Sequence, residues 1–215
     1  MIQRVEPSVE YNVPPLPSSL VAFYAPDSIK NIKVNAFKYA IHLKDFQWND
    51  GIVEIGDSAF RCKASMQTMP LIMKKLPDSL LKLESYAFYK TSNDDVIVSN
   101  IPDGLQKIGD WAFYPGNNIT ITNFSGSLES IGSYAFAYAG KNIKENTLYI
   151  GRSVTKIGNN AFGISNQKET CYGHTKIQYV NIANPETTFN LSAAEMGFRS
   201  DVQVNFNYNP ETEVI

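Results

Sequence analysis

Apolar residues along this chain recur at long, regular intervals, and the clearest marker is an Ala-Phe pair that occurs six times. An aliphatic residue stands four residues before each Ala, and another stands seven residues before it. Successive pairs are separated by 23, 28, 25, 23 and 26 residues. Self-similarity at such a period is typical of solenoid repeats. The pairs are Ala36-Phe37, Ala59-Phe60, Ala87-Phe88, Ala112-Phe113, Ala135-Phe136 and Ala161-Phe162.

A short run with strand character precedes each of these blocks and is bounded by turn residues. In the first two units the apolar positions have the spacing L-x-x-L-x-L, which is the strand signature of leucine-rich repeats. In the next three units the middle position shifts by one residue, and this shift predicts a small bulge or a changed register. The sixth and seventh strands are predicted around Leu148-Tyr149-Ile150 and around Ile177, Val180 and Ile182.

The repeat predicts a leucine-rich repeat solenoid, a single curved stack of about seven units with one parallel β-sheet. A unit of this size cannot bury its apolar side alone, but stacking gives each Leu, Ile and Phe like neighbours above and below. We expect the Ile-Gly-x-x-Ala-Phe stretch to form a short helical or 3₁₀ turn on the return side, with the six Phe rings in one buried ladder. Gly follows the second aliphatic residue in four units but is replaced by Lys33 and Glu84. If that position requires a positive φ, those two units are strained.

The repeat phrases IPDGLQKIGDWAF, LPDSLLKLESYAF and GRSVTKIGNNAF resemble the BspA-type leucine-rich repeats, also called Treponema pallidum-type, of bacterial surface proteins, protists and some viruses. The resemblance covers about residues 16 to 182 and rests on whole repeats rather than on one motif. It implies a solenoid fold and a role in adhesion or in binding host proteins at a cell surface.

The two ends of the chain depart from the repeat, as the ends of a solenoid do. Residues 1–15 contain Pro14-Pro15 and no complete unit, which predicts an N-terminal arm or cap. Residues 16–182 form the solenoid in this interpretation. Residues 183–215 are predicted to be a degenerate capping unit that covers the last rung.

Composition and charge narrow the classes of partner. The net charge is −2 and the basic residues are scattered, which argues against nucleic acid, because phosphate binding needs a concentrated Lys/Arg surface. No apolar run reaches the length of about 18 residues that a spanning helix needs. Residues 1–10 are too polar for a signal peptide. We therefore expect an extracellular or cell-surface location if a leader was removed, and an intracellular or virion-associated one otherwise.

The sequence offers no catalytic constellation, and we predict neither an enzyme nor a cofactor. The two histidines, His42 and His174, lie in different units, and a pairing of Cys171 with His174 would lack a third, orienting group. Asp residues recur at one corner of four units, but each is followed by Ser or Gly, which is ordinary turn chemistry. We therefore predict no metal site at this corner, which is formed by Asp27, Asp50, Asp78 and Asp103.

Two surfaces are candidates for binding a protein or glycan partner. The first is the outward row of the strands, since alternate strand residues point away from the core. Its predicted contact residues are Tyr149, Tyr179, Gln178, Lys44, Gln47 and Thr122. The alternative is an aromatic stripe of the residues that precede Ala in three successive units, namely Tyr86, Trp111 and Tyr134. Such a stripe is either a binding platform or mutual stacking that covers the core edge. The function predicted first is a non-catalytic binding or adhesion module, and the alternative is a structural or receptor-recognition subunit of a larger assembly such as a virus particle.

Overall fold

The computed structural model describes residues 19–62, 71, 75–91, 98–115, 119–124, 126–140, 142–163, 171–172, 176–209 and 211. These residues form a parallel β-solenoid with very little helix. Its strands are β1 Ala22–Tyr24, β2 Asn31–Ile32, β3 Asp45–Gln47, β4 Glu54–Ile55, β5 Lys82–Leu83, β6 Lys107–Ile108, β7 Asn123–Phe124, β8 Ser130–Ile131, β9 Thr147–Ile150, β10 Lys156–Ile157, β11 Tyr179–Ile182 and β12 Gln203–Asn205. A 3₁₀ helix spans Glu186–Thr188.

The described strands form three parallel sheets. Sheet A contains β1 and β3, and sheet C has the order β12-β11-β9-β7. Both are built from the leucine-rich strands predicted from the sequence, except for β12, which lies in the C-terminal residues 183–215. Sheet B has the order β10-β8-β6-β5-β4-β2 and contains one two-residue strand from each of six repeats.

The core is one continuous cluster in which the six Phe rings stack from repeat to repeat. Successive rings from Phe37 to Phe162 have centroids 5.1, 5.2, 5.8, 5.4 and 5.8 Å apart, with interplanar angles of 25° or less. The predicted Phe ladder is confirmed. Near its C-terminal end the buried Tyr172 hydroxyl shares its proton between the carbonyl oxygens of Ile119 and Ile121, at 3.0 and 2.9 Å. Burial is the main reason why the pKa of Tyr172 lies well above its ordinary value.

The return side differs from the short helical turns that the sequence led us to expect. In each repeat the Ala-Phe turn follows a two-residue strand of sheet B, and its backbone forms hydrogen bonds both within the turn and to the next repeat. The Phe60 N–H donates to the Ala87 carbonyl at 2.8 Å, and the Phe88 N–H donates to the Ala112 carbonyl at 2.9 Å. These bonds between repeats satisfy backbone groups that a helix would satisfy locally.

Positive φ angles occur in the turn at the residue before each Ala, and not at the preceding glycines. Gly109 and Gly132 are needed for space, since a Cβ at either would lie 2.4 Å from a backbone nitrogen of the preceding repeat. The glycine position does not require a positive φ, so a positive φ is not a cause of strain at Lys33 and Glu84. Lys33 belongs to the first repeat, and Glu84 directs its carboxylate to Lys107 Nζ at 2.6 Å.

The residues after β11 continue the stack in modified form. The Phe162 N–H donates to the Met196 carbonyl at 2.9 Å, so Met196 occupies the place of the Ala in the earlier turns. The Phe198 ring stacks on Phe162 with centroids 4.8 Å apart. Only glycine fits at Gly197, because a Cβ there would lie 1.8 Å from the Gly163 carbonyl oxygen. Whether this segment acts as a cap stays a prediction.

Candidate binding surfaces

Four of the six residues predicted for the strand surface lie together on sheet C. Tyr149 and Tyr179 are each 40% exposed and lie on the adjacent strands β9 and β11. They are offset by two residues, because Tyr149 pairs with Asn181 and Tyr179 pairs with Thr147. The next residues on either side of Tyr149, Leu148 and Ile150, are buried, so the Tyr149 ring points away from the core.

The other two members of this group are less prominent. Gln178 is exposed just before β11, and its backbone N–H donates to the Asn146 carbonyl at 2.8 Å. Thr122 is half-buried, and its carbonyl accepts the Tyr149 N–H at 2.8 Å. Thr122 therefore contributes mainly backbone to the surface.

Lys44 and Gln47 are exposed, but they lie at sheet A in the second repeat and not beside the sheet C residues. Gln47 pairs with Tyr24, which is 57% exposed, and the Tyr24 hydroxyl donates to an Asp45 carboxylate oxygen at 3.3 Å. The structure thus brings the predicted strand-surface residues together as two separate groups.

The alternative stripe is a column of stacked rings on the turn side of the solenoid. The Trp111 ring lies between Tyr86 and Tyr134, with centroid distances of 6.4 and 4.3 Å and interplanar angles of 4° and 13°. The Tyr134 hydroxyl accepts a hydrogen bond from Asn160 Nδ2 at 3.1 Å. All three rings are half-buried.

A second column of rings runs beside the first and contains tyrosines that come after the Phe of the repeat. The Tyr89 and Tyr114 rings stack at 5.4 Å and 15°, and they meet Trp111 edge-on at 6.2 and 5.1 Å. Burial raises the pKa of Tyr114, and the neighbouring Tyr89 and Tyr138 add to this effect. The two columns together form the aromatic cluster: Tyr86, Tyr89, Trp111, Tyr114, Tyr134 and Tyr138.

The N-terminal ends of both columns are covered by Arg61. Its guanidinium carbon lies 4.6 Å from the Tyr86 ring centroid and 5.3 Å from the Tyr89 centroid, within the range of a cation–π contact. Sequence reasoning missed Arg61. The signal was its place in the repeat, since Arg61 directly follows Phe60 just as Tyr89 follows Phe88.

Comparison with known proteins supports the repeat identified in the sequence. A family model described as a BspA type leucine-rich repeat region, with six copies, matches residues 17–93 and 71–169. This chain belongs to the BspA-type leucine-rich repeat family. The family suggests a binding or recognition module.

A crystal structure of another leucine-rich repeat protein, from Bacteroides ovatus, is similar to this BspA-type chain at 16% identity and a TM-score of 0.46. The similarity covers 85% of this chain and 53% of the other, so the BspA-type chain spans about half the length of that protein. No curated protein sequence matches the chain.

The structure describes His42, Cys171 and the four corner Asp residues of this BspA-type chain, which were considered for catalysis or metal binding. His42 is exposed, Cys171 is buried, and His174 lies outside the described residues. Within the described ranges no three His, Cys, Asp or Glu side chains are close enough to hold a metal ion. None of the helices described there is long and apolar enough to cross a membrane.

Proposed function

We propose that the protein is a non-catalytic adhesion module that presents the outer surface of sheet C to a protein or glycan partner. The observation that carries this proposal is the pair of exposed tyrosines, Tyr149 and Tyr179, on adjacent strands of a parallel sheet. Tyrosine supplies a large amphipathic contact area, and such residues dominate the energetics of interfaces.

The surroundings of the two tyrosines support a preformed surface. Strands β9 and β11 are paired on both sides, so their backbones are fixed. The Tyr149 ring also packs against the Tyr208 ring at 5.8 Å, and Asn205 Nδ2 donates to Asn181 Oδ1 at 2.8 Å. Side chains that are ordered before binding lose little entropy when the partner arrives.

The outward positions of the strands in sheet C are uncharged, including Thr147, Tyr149, Tyr179 and Gln203. Binding through this surface should therefore depend only modestly on salt, because screening acts on charge pairs. A strong loss of affinity between low and physiological salt would argue for a different surface.

The test uses two defined probes, an array of synthetic oligosaccharides and a displayed library of random peptides. We expect the ligands that use sheet C to be a distinct group among those selected on the wild type. They should bind Tyr149→Ala or Tyr179→Ala more weakly by more than about 1 kcal/mol, with a nearly unchanged melting temperature. Tyr39→Ala, in the first turn, is the control and should bind as the wild type does. If no selected ligand loses affinity for either sheet variant while Trp111→Ala or Tyr134→Ala abolishes binding, the aromatic stripe is the functional surface and the assignment to sheet C is wrong.

Membership of a larger assembly is the alternative role. A size measurement on the isolated protein separates the two: a stable monomer supports the adhesion module, whereas obligate association supports a structural subunit.

A further inference from the structure

Four of the six residues of the aromatic cluster have a positive φ, which is unfavourable for aromatic residues. The residue before Ala has a φ of 55–60° in all six repeats. Three repeats place Asn35, Ser58 or Asn160 there, and Asn is among the residues that adopt this left-handed conformation most readily. Three adjacent repeats instead carry the stripe residues Tyr86, Trp111 and Tyr134 at φ angles of 56–57°.

The fold itself does not require aromatic residues at this position, since half of the repeats form the same turn without them. Bulky residues held in this region mark sites where function accounts for the strain. The stripe is also continuous, with no Asn or Ser repeat between its members. Its position in the three middle repeats, and not at the solenoid ends, is what a binding surface would require.

Arg61 adds a second, independent observation at the edge of the cluster. Its guanidinium is held by the Tyr86 and Tyr89 rings, and among the described residues it forms no ion pair with a carboxylate. Arginine has five N–H donors in a fixed fork that matches the geometry of a carboxylate. Because the Arg61 guanidinium is already oriented and forms no such ion pair among the described residues, it is suited to bind an anionic group.

The stacking geometry limits the chemistry of the ligand. Trp111 has Tyr86 on one side and Tyr134 on the other, so both of its faces are occupied. Stacking of sugar rings on aromatic faces is therefore disfavoured. Asp57 and Asp110 directly precede Ser58 and Trp111 on the turn side, so a ligand that places a single anionic group at Arg61 suits this surface better than a polyanion does.

We propose that the aromatic cluster and Arg61 form a second binding surface, for an acidic segment of a protein partner. Arg61 pairs with an Asp or Glu side chain of that segment, and the edges of Trp111 and the tyrosines contact its apolar or aromatic residues. Trp, Tyr and Arg are the residues most enriched at the energetic centres of protein interfaces. This surface lies on the turn side and does not depend on the proposal for sheet C.

The experiment is a selection of random 12-residue displayed peptides on the wild-type protein. The peptides that still bind Tyr149→Ala are then synthesised and titrated, so that ligands of sheet C are set aside. We expect them to combine Asp or Glu with an apolar or aromatic residue. Arg61→Gln should weaken their binding about tenfold or more, because hydrogen bonds to a charged group are lost. Arg61→Lys should restore only part of the affinity, since an ammonium lacks the planar fork. Trp111→Asn, which suits the backbone, should also weaken binding.

Tyr179→Ala is the matched control and should leave these titrations unchanged, which separates this surface from sheet C. Circular dichroism melting of each variant confirms that it is folded. Selected peptides without acidic residues, or acidic peptides that bind Arg61→Gln as tightly as the wild type, would overturn the proposal. So would a selection that yields no peptide sensitive to either Arg61→Gln or Trp111→Asn.

Discussion

The left-handed backbone at Trp111 predicts an unusual order of stability among substitutions at this position. Trp111→Ala and Trp111→Asn both remove two stacked ring pairs, each worth about 0.5–1.5 kcal/mol beyond burial, so this loss is common to the two variants. They differ in the backbone. A left-handed residue costs about 1–2 kcal/mol, and Asn escapes part of this cost through local hydrogen bonds of its side chain.

We therefore expect Trp111→Asn to be more stable than Trp111→Ala by about 1 kcal/mol, although Ala is the smaller change in polarity. For a chain of this size the difference corresponds to about 2–4 °C in melting temperature. The measurement is thermal unfolding followed by circular dichroism, and Trp111→Gly should fall beside the Asn variant because Gly has no Cβ.

The same pair of substitutions at Lys156 is the control. Lys156 is exposed on β10, and its backbone is not left-handed, so Ala there should be at least as stable as Asn. The reasoning is refuted if Ala equals or exceeds Asn at position 111, or if the preference for Asn is the same at both positions.

Four further outcomes follow from the packing. Phe113→Ala should cost about 3–5 kcal/mol in denaturant unfolding, and a loss below about 1 kcal/mol would contradict a continuous Phe ladder. Gly109→Ala should lower the melting temperature more than Gly104→Ala, whose Cβ would meet only a side-chain methyl group at 3.2 Å. Tyr172→Phe should remove part of the loss of stability at alkaline pH. The neutral phenol stabilises the fold fully below about pH 10, and this contribution is lost as the pH rises from there through the raised folded-state pKa; identical alkaline limbs for variant and wild type would count against it. Deleting residues 189–215 should cause concentration-dependent association in light scattering, whereas a soluble monomer would show that the segment is an appendage.

Much of the fold could be predicted because each repeat carries the same buried residues. The recurrence of Phe60 and Phe88 predicts the ladder. Ile177 and Val180 predict the last leucine-rich strand before the chain departs from the repeat. The short strands of sheet B were missed, because two residues such as Glu54-Ile55 are too few to show an alternating pattern. Each of them pairs with a strand of the neighbouring repeat, 23–28 residues away in sequence, and no local pattern contains such a pairing.

The candidate surfaces were less accessible to sequence reasoning. Tyr149 and Tyr179 could be placed on the outside by alternation alone, and the exposure of both agrees with this placement. The positive φ of Trp111 could not be predicted, since bulky residues rarely adopt this conformation. Gly109, two residues earlier, was the natural candidate for a positive φ. The role of Arg61 depends on a contact between repeats, which requires the register of the stack.

The bonds between repeats also determine how the molecule should respond to mechanical force. They run from one repeat to the next, along the direction in which the repeats stack, so tension applied at the two ends acts along them. Hydrogen bonds loaded in shear break all together. Bonds pulled along their own direction instead open one repeat at a time. Pulling on the chain should give a series of small, nearly equal force peaks. Each would release one repeat of 23–28 residues, or about 80–100 Å of extended chain, so that the protein yields gradually under load while its remaining repeats stay folded.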